Sequence, residues 1–166
     1  MDREAEFRDL FADHYEGVVH TVFLVVRDWD RAEEIAQEAF TQLVRHWRRV
    51  ADHDMPGAWV RRVAIRLAVR SDRRERTAVV AWRRAAPPEA FPTPESAGGN
   101  AVLDAVGLLP VRQRAVVVLV YFEDRPVTEA ARILDCSAST ARVHLHRARQ
   151  RLAELLGEEV TSNVAG

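Results

Sequence analysis

The side chains in this sequence best equipped for chemistry are arginines, and the chemistry they suit is recognition of phosphate and base edges rather than bond making. Arg61, Arg62, Arg66, Arg70, Arg73, Arg74 and Arg76 crowd one span in which the acidic residues are Asp72 and Glu75. A guanidinium donates two parallel hydrogen bonds from a planar fork, which matches a phosphate or the edge of a guanine. A solvated helix face ordinarily mixes its signs, so this span reads as an electrostatic footprint for nucleic acid. A second set lies towards the other end: Ser139, Thr140, Arg142, Val143, His144, Arg147 and Arg149. A third set has the opposite character. Asp30, Glu33, Glu34, Gln37, Glu38, Thr41 and Gln42 make a surface that is acidic at its start and amide-rich further on; taken alone, it needs no explanation beyond solvation. The sequence has no Gly-rich phosphate loop, no nucleophile paired with a base and no metal-ligand spacing, so it reads as a protein that is not an enzyme and needs no cofactor. His46, Asp52, His53 and Asp54 cluster in one loop and read as solvated rather than metal-binding. The single cysteine, Cys136, excludes an internal disulfide and reads as a small buried thiol.

The elements that must position these sets are helices. Phe7, Leu10, Phe11, Tyr15, Val18, Val19, Val22, Phe23 and Val26 form one face of an opening helix over about Glu4–Val26, with Arg8, Asp9, Asp13 and Glu16 opposite. After a break at Arg27–Trp29, the steps Ile35, Ala36, Ala39, Phe40, Leu43, Val44, Trp47 define a second helix, its start marked by a capping-box-like Asp30 and Glu33. The two helices are expected to pack antiparallel through their aromatic rows. Pro56 suits the first turn of a third helix, with Trp59, Val60, Val63, Ala64 and Leu67 inward and the arginines outward. Thr77–Arg84 reads as a further short helical piece.

Residues 85–100, AAPPEAFPTPESAGGN, hold four prolines, two glycines and no basic residue, the composition of a linker. Sixteen extended residues reach at most about 55 Å, a span of roughly 16 base pairs. Beyond it, helices are expected over Val102–Leu109, Arg112–Phe122 and from the Glu123–Pro126 turn to Leu134. A last helix then runs from Ala138 to about Leu156, with Ser137 as its N-cap. AVVVLVY favours a strand by composition, but no partner strand lies nearby, so it is assigned as helix. The final pair forms a helix-turn-helix, with Ala131 at the tight crossing and Leu134, Val143 or Leu145, and Leu152 in its core. In such a motif the early turns of the second helix enter the major groove. Small residues at Ala138, Ser139 and Ala141 are expected to permit close approach, and Arg149 and Arg151 to serve the backbone.

The net charge of −1 conceals blocks: −4 over residues 1–50, +5 over 51–86, −3 over 87–110 and +1 over 111–166. With 48% hydrophobic and 30% charged residues over 166 positions, the chain suits one ordinary domain or two small ones. Neither a membrane-length apolar run nor an apolar leader is present, so a cytoplasmic protein without membrane insertion is expected.

Asp30, Ala32, Glu33, Glu34, Gln37, Glu38 and Phe40 follow D-x-A-E-[DE]-x-x-Q-[ED]-x-F, which resembles region 2 of the sigma-70 superfamily in its extracytoplasmic-function branch. Trp59 to Ala64 followed by the basic run is similar to the part of that region that melts and reads the −10 promoter element; Arg66 and Arg70 depart from the family's usual Asn and Asp. Glu129, Ala131, Leu134, Ser137, Thr140, Arg142, Leu145, Arg147, Ala148, Arg149 and Leu152 match sigma region 4, with departures at Asp135, Ser139, Val143 and His144. The resemblance spans about Phe7–Leu156.

It implies an all-α protein of two small helical domains: a region 2-like bundle (1–84), a flexible linker (85–100), a region 4-like helix-turn-helix (101–157) and a tail (158–166). It further implies docking of Asp30, Glu33, Glu34, Gln37 and Glu38 on the β′ clamp helices of bacterial RNA polymerase core. Trp59, Arg61, Arg62, Arg66, Arg70, Arg73 and Arg74 are then implied at the −10 element. Ser139, Thr140, Arg142, Val143, His144, Arg147 and Arg149 are implied at the −35 element, with the β flap and an anti-sigma factor as further partners. Two other readings remain open on the residues alone: a conventional dimeric helix-turn-helix repressor or activator, binding its operator without polymerase, and a helical protein-interaction module without arginine-dependent DNA binding.

Overall fold

Aromatic and valine rows at helical spacing drive the first half of the chain together. The computed structural model describes residues 2–52, 55–85 and 101–164, with the side chains of 73–85 and 158–164 outside that description. All its regular elements are helices: α1 (Arg3–Val26), α2 (Trp29–Val50), α3 (Pro56–Ala85), α4 (Ala101–Gly107), α5 (Val111–Val117), α6 (Val127–Ile133) and α7 (Ala138–Val164). A π-helical turn over Val118–Phe122 continues α5. Residues 86–100, nearly all of the expected linker, lie outside the described residues, as do His53 and Asp54.

The α1–α2 pair closes through the expected aromatic rows. Phe7 meets Trp47 edge-on at 5.5 Å, and Phe11 meets Phe40 at 4.8 Å. Below them Val18, Val22 and Val25 are wholly buried. The turn between the helices differs from expectation in its cap. Asp28, not Asp30, is the N-cap: its backbone is extended, and its carboxylate accepts the Arg31 amide at 3.0 Å. Trp29 thereby becomes the first helical residue and stacks on Phe23 at 3.8 Å. Val44, one residue beyond Leu43 and so about 100° round the helix, is 54% exposed instead of joining the stripe.

Helix α3 starts at Pro56 as its missing amide hydrogen allows, then runs unbroken to Ala85. The expected break after Arg76 is absent because no proline or glycine interrupts residues 58–85. The Val79, Val80 and Trp82 side chains lie outside the described residues. Buried on α3 are Val60, Ala64, Ile65, Ala68 and Val69, a wider stripe than its sequence pattern suggests. The reason is tertiary: α3 packs against α1 and α2 and also against α5 and α6. Gly57 permits the close crossing with α1, since a Cβ there would sit 2.6 Å from the His14 ring.

In the second half, Ala115 to Leu119 are all buried, so the valine-rich run is held as helix by packing on most of its surface, and only its end at Tyr121 reaches solvent. Helix α6 ends at Ile133, Asp135 takes a left-handed φ of 56°, and Ser137 caps α7 by accepting the Thr140 amide at 3.1 Å. Ala131, Leu134, Leu145 and Ala148 fill the helix-turn-helix core. One detail departs from expectation: Ala141 is wholly buried and serves packing rather than DNA approach. Of the two residues expected for the core position, Leu145 takes it, while Val143 is 47% exposed. Helix α7 also continues to Val164, so most of the expected tail has helical backbone. One continuous apolar cluster links both halves, from Val18 through Ile65 to Leu119 and Ile133.

Candidate nucleic-acid interface

The acidic set lies where helical spacing puts it. Asp30, Glu33, Glu34, Gln37 and Glu38 are all exposed along one side of α2. Gln42 donates to Glu38 at 3.0 Å and the Thr41 hydroxyl to the Gln37 carbonyl at 2.8 Å, holding the later part of this face in register. Arg31 bonds the Ser71 hydroxyl and ties the first turn of α2 to α3. Glu34 and Glu38 then border a groove of about 220 Å³ whose far wall includes Leu67, Arg70 and Ser71.

The arginine set of α3 divides by its contacts rather than by its exposure. Arg62, Arg66 and Arg70 are all exposed. Arg61 instead reaches Glu123, at the end of the π-helical turn, with a nitrogen–oxygen distance of 2.6 Å. Arg66 turns the same way: its Nε donates to the Ile133 carbonyl at 2.8 Å and a terminal nitrogen to the Arg132 carbonyl at 3.0 Å. These are the last carbonyls of α6, which have no partner within their own helix and carry the negative end of its dipole. Trp59 is half-buried against the core, with its ring 6.1 Å from that of His46. The side chains of Arg73, Arg74 and Arg76 lie outside the described residues.

On α7, Ser139, Thr140, Arg142, Val143 and Arg147 are exposed along the early turns, as a major-groove helix requires. Arg149 is held by Tyr121: its Nε donates to the phenolic oxygen at 2.6 Å, and its guanidinium lies 5.7 Å from the ring centroid. His144 is half-buried, and its pKa is lowered from the usual 6.5, first by burial and then by the positive charges of Arg112 and Arg147. It therefore meets a ligand mainly as the neutral imidazole near neutral pH.

Sequence reasoning missed the residues that join the halves. Thr21, buried on α1, donates its hydroxyl to the Glu123 oxygen that Arg61 leaves free. Arg114 is 6% exposed and donates to the carbonyls of Val25, Gly107 and Leu109, closing the ends of α1 and α4. An arginine inside the apolar run VRQRAVVVLV is a readable signal for Arg114, because a buried charge must find partners. Glu123 offers none: it looks like any turn carboxylate, and its partners stand 62 and 102 positions away.

An all-helical scaffold that presents an exposed helix-turn-helix and an arginine-lined helix on a three-helix bundle defines a DNA-binding protein. The family model Sigma-70 region 2 matches residues 10–78, and Sigma-70, region 4 matches residues 99–152. The chain is 30% identical over 158 residues to the RNA polymerase sigma-E factor of Streptomyces antibioticus, covering 91% of this chain and 84% of that one. It is 30% identical to the ECF RNA polymerase sigma factor SigM of Mycobacterium tuberculosis, covering 94% and 79%. The corresponding figures for the RNA polymerase sigma factor CarQ of Myxococcus xanthus are 32%, 92% and 90%. In fold it is similar to the sigma factor RpoE of Bartonella quintana, solved in complex with the anti-sigma factor NepR. That match has a TM-score of 0.69 at 21% identity and covers 92% of this chain and 97% of that one. The chain belongs to the sigma-70 family, in its extracytoplasmic-function branch. It is a promoter-directing sigma factor that acts with RNA polymerase in transcription initiation.

Proposed function

We propose that three faces of the chain divide the work of initiation between two domains, 1–84 and 101–157. The acidic side of α2, with Asp30, Glu33, Glu34, Gln37 and Glu38, docks on the β′ clamp helices of core polymerase. The arginine side of α3, with Arg61, Arg62, Arg66, Arg70, Arg73 and Arg74 beside Trp59, holds and opens the −10 element. The start of α7, with Ser139, Thr140, Arg142, Val143, His144, Arg147 and Arg149, reads the −35 element, and the same domain meets the β flap. Bond making belongs to the polymerase, so the chain itself is not an enzyme and needs no cofactor. Its place is the cytoplasm; among the described residues no helix is long and apolar enough to cross a membrane. An anti-sigma factor is its expected partner, as NepR is in the Bartonella complex.

The observation that carries this reading is the separation of opposite charges onto adjacent helices of one bundle. All five acidic and amide residues of the set on α2 are exposed, and Arg62 and Arg70 are exposed on α3. A dimeric repressor would need the second face for its own partner and has no use for the first. Pull-down on core polymerase distinguishes them: Glu34→Lys with Gln37→Ala loses retention while Arg142→Ala keeps it. Equal retention of both variants would remove α2 from the docking surface. Permanganate footprinting of the holoenzyme tests α3, where Arg62→Ala lowers reactivity of the −10 bases.

A further inference from the structure

We propose that the cavity between α3 and the turn of the helix-turn-helix binds a small oligophosphate, either inorganic diphosphate or the phosphate tail of a nucleotide. Its volume is about 220 Å³, and Arg66, Val69, Arg70, Arg112, Leu134 and Asp135 line it. The inference goes beyond promoter recognition. Arg66 and Arg70 belong to the face proposed for the −10 element, but Arg112, on α5, belongs to none of the three proposed faces.

Charge gives the first argument. Three guanidinium groups share this small volume with one carboxylate, that of Asp135. The end of α6 adds at most about half a negative charge, which leaves an excess of roughly +1.5. Among the described residues none of the three arginines is ion-paired, with Asp135 or with any other acid. Their mutual repulsion is unfavourable until an anion enters. The same field reaches α7: after burial, Arg112 and Arg147 are what lower the pKa of His144.

The arginines are also held in place before any ligand arrives. Arg66 donates to the Ile133 and Arg132 carbonyls at 2.8 and 3.0 Å, and Arg112 to the Leu134 carbonyl at 3.3 Å. A guanidinium has five N–H donors, so both groups are oriented by the end of α6 and keep donors for a ligand. Val69 and Leu134 are buried and give the cavity an apolar wall, where charge-assisted hydrogen bonds gain strength.

Size selects among anions. Arg66 and Arg70 stand one turn apart, about 6 Å along the axis of α3, and Arg112 lines the cavity from another helix. Donors spread in this way suit linked phosphates better than a single oxyanion. The volume is below the roughly 300–1,000 Å³ that encloses a whole drug-sized ligand. Phosphates therefore enter, and a nucleoside stays at the mouth.

Calorimetric titration of the free full-length chain with pyrophosphate, ATP and orthophosphate, without divalent metal, tests the site. The expected result is saturable one-to-one binding of pyrophosphate, about tenfold tighter than that of orthophosphate. Arg70→Gln and Arg112→Gln each weaken it about tenfold, the size of one charge-assisted hydrogen bond. Asp135→Asn removes the carboxylate, keeps a residue suited to the left-handed backbone, and tightens binding severalfold. Arg8→Gln makes the same charge change as the arginine variants on the exposed start of α1 and leaves binding unchanged. Should Arg112→Gln fail to fold, Arg70→Gln and Asp135→Asn carry the test. ATP binding as tight as that of pyrophosphate assigns the tail of a nucleotide, and its failure to bind assigns free diphosphate; either supports the site. Heat without saturation, or an equal loss in Arg8→Gln, overturns it as non-specific attraction. Orthophosphate bound as tightly as pyrophosphate overturns the oligophosphate assignment. So does a cavity that ignores pyrophosphate while a single-stranded 12-mer binds through Arg112, which would give it to a nucleic-acid backbone. The −10 role of α3 is tested apart from all of these, by footprinting of Arg62→Ala, a residue outside the cavity.

Discussion

At the scale of single residues, Arg142 is exposed on the early part of α7, where a guanidinium can reach a base edge. Arg142→Ala is predicted to weaken promoter-specific binding by about 1–3 kcal/mol and to relax selectivity at one base position. An unchanged position-weight profile in competition binding removes it from the reading set. Arg114 has the opposite role. Its three carbonyl partners lie at helix ends, so Arg114→Met leaves buried acceptors unpaired and costs about 3 kcal/mol or more, read from the urea midpoint. His144 gives a pH dependence. Its native pKa is below the ordinary 6.5, so as pH falls through that value the unfolded chain binds a proton that the native protein refuses. Stability contributed by the neutral imidazole is therefore present above about pH 6.5 and is lost on acidification. His144→Gln flattens that slope, and an NMR titration of His144 with its midpoint above 6.5 would contradict the assignment.

At the scale of elements, helix existence and type are legible from apolar spacing, and the reasons are visible in particular residues. Phe7, Phe40 and Trp47 announce the α1–α2 pair because aromatic groups at helical steps have few other uses. Ser137 announces α7, because a hydroxyl before a helix has a donor to bind. The cap of α2 lies two residues before the one that spacing suggests, since Asp28 and Asp30 both precede the same stripe and only the backbone at Asp28 distinguishes them. Denaturation measures that difference: Asp28→Ala costs about 1 kcal/mol, and Asp30→Ala, which weakens only the dipole interaction, roughly 0.5 kcal/mol. The reverse order would return the cap to Asp30. Asp135 takes a left-handed φ of 56° between α6 and α7, a conformation that glycine adopts without strain. Aspartate tolerates this conformation better than most residues and a β-branched side chain does not. Asp135→Ile is predicted to be less stable than Asp135→Gly by about 1–2 kcal/mol.

At the scale of the whole molecule, the apportioning of Arg61 and Arg66 is not readable from the sequence. Their spacing places them with Arg62 and Arg70, and nothing local distinguishes the two pairs. What separates them is the arrival of Glu123 and the end of α6 from the other half of the chain. Charge patterning along one helix names a face; the three-dimensional contact decides which of its members hold partners within the chain. The fold thus carries the three proposed surfaces on one connected apolar core.

The central claim is that this chain directs core polymerase to promoters through α2, α3 and α7 together. Run-off transcription on a genomic-fragment library, with core RNA polymerase in the presence and absence of the purified protein, tests it most directly. Discrete start sites that appear only with the protein, preceded by common −10 and −35 elements, are the predicted result. The contradicting result is no new start site and no polymerase binding, together with tight binding of the protein alone to a palindromic duplex.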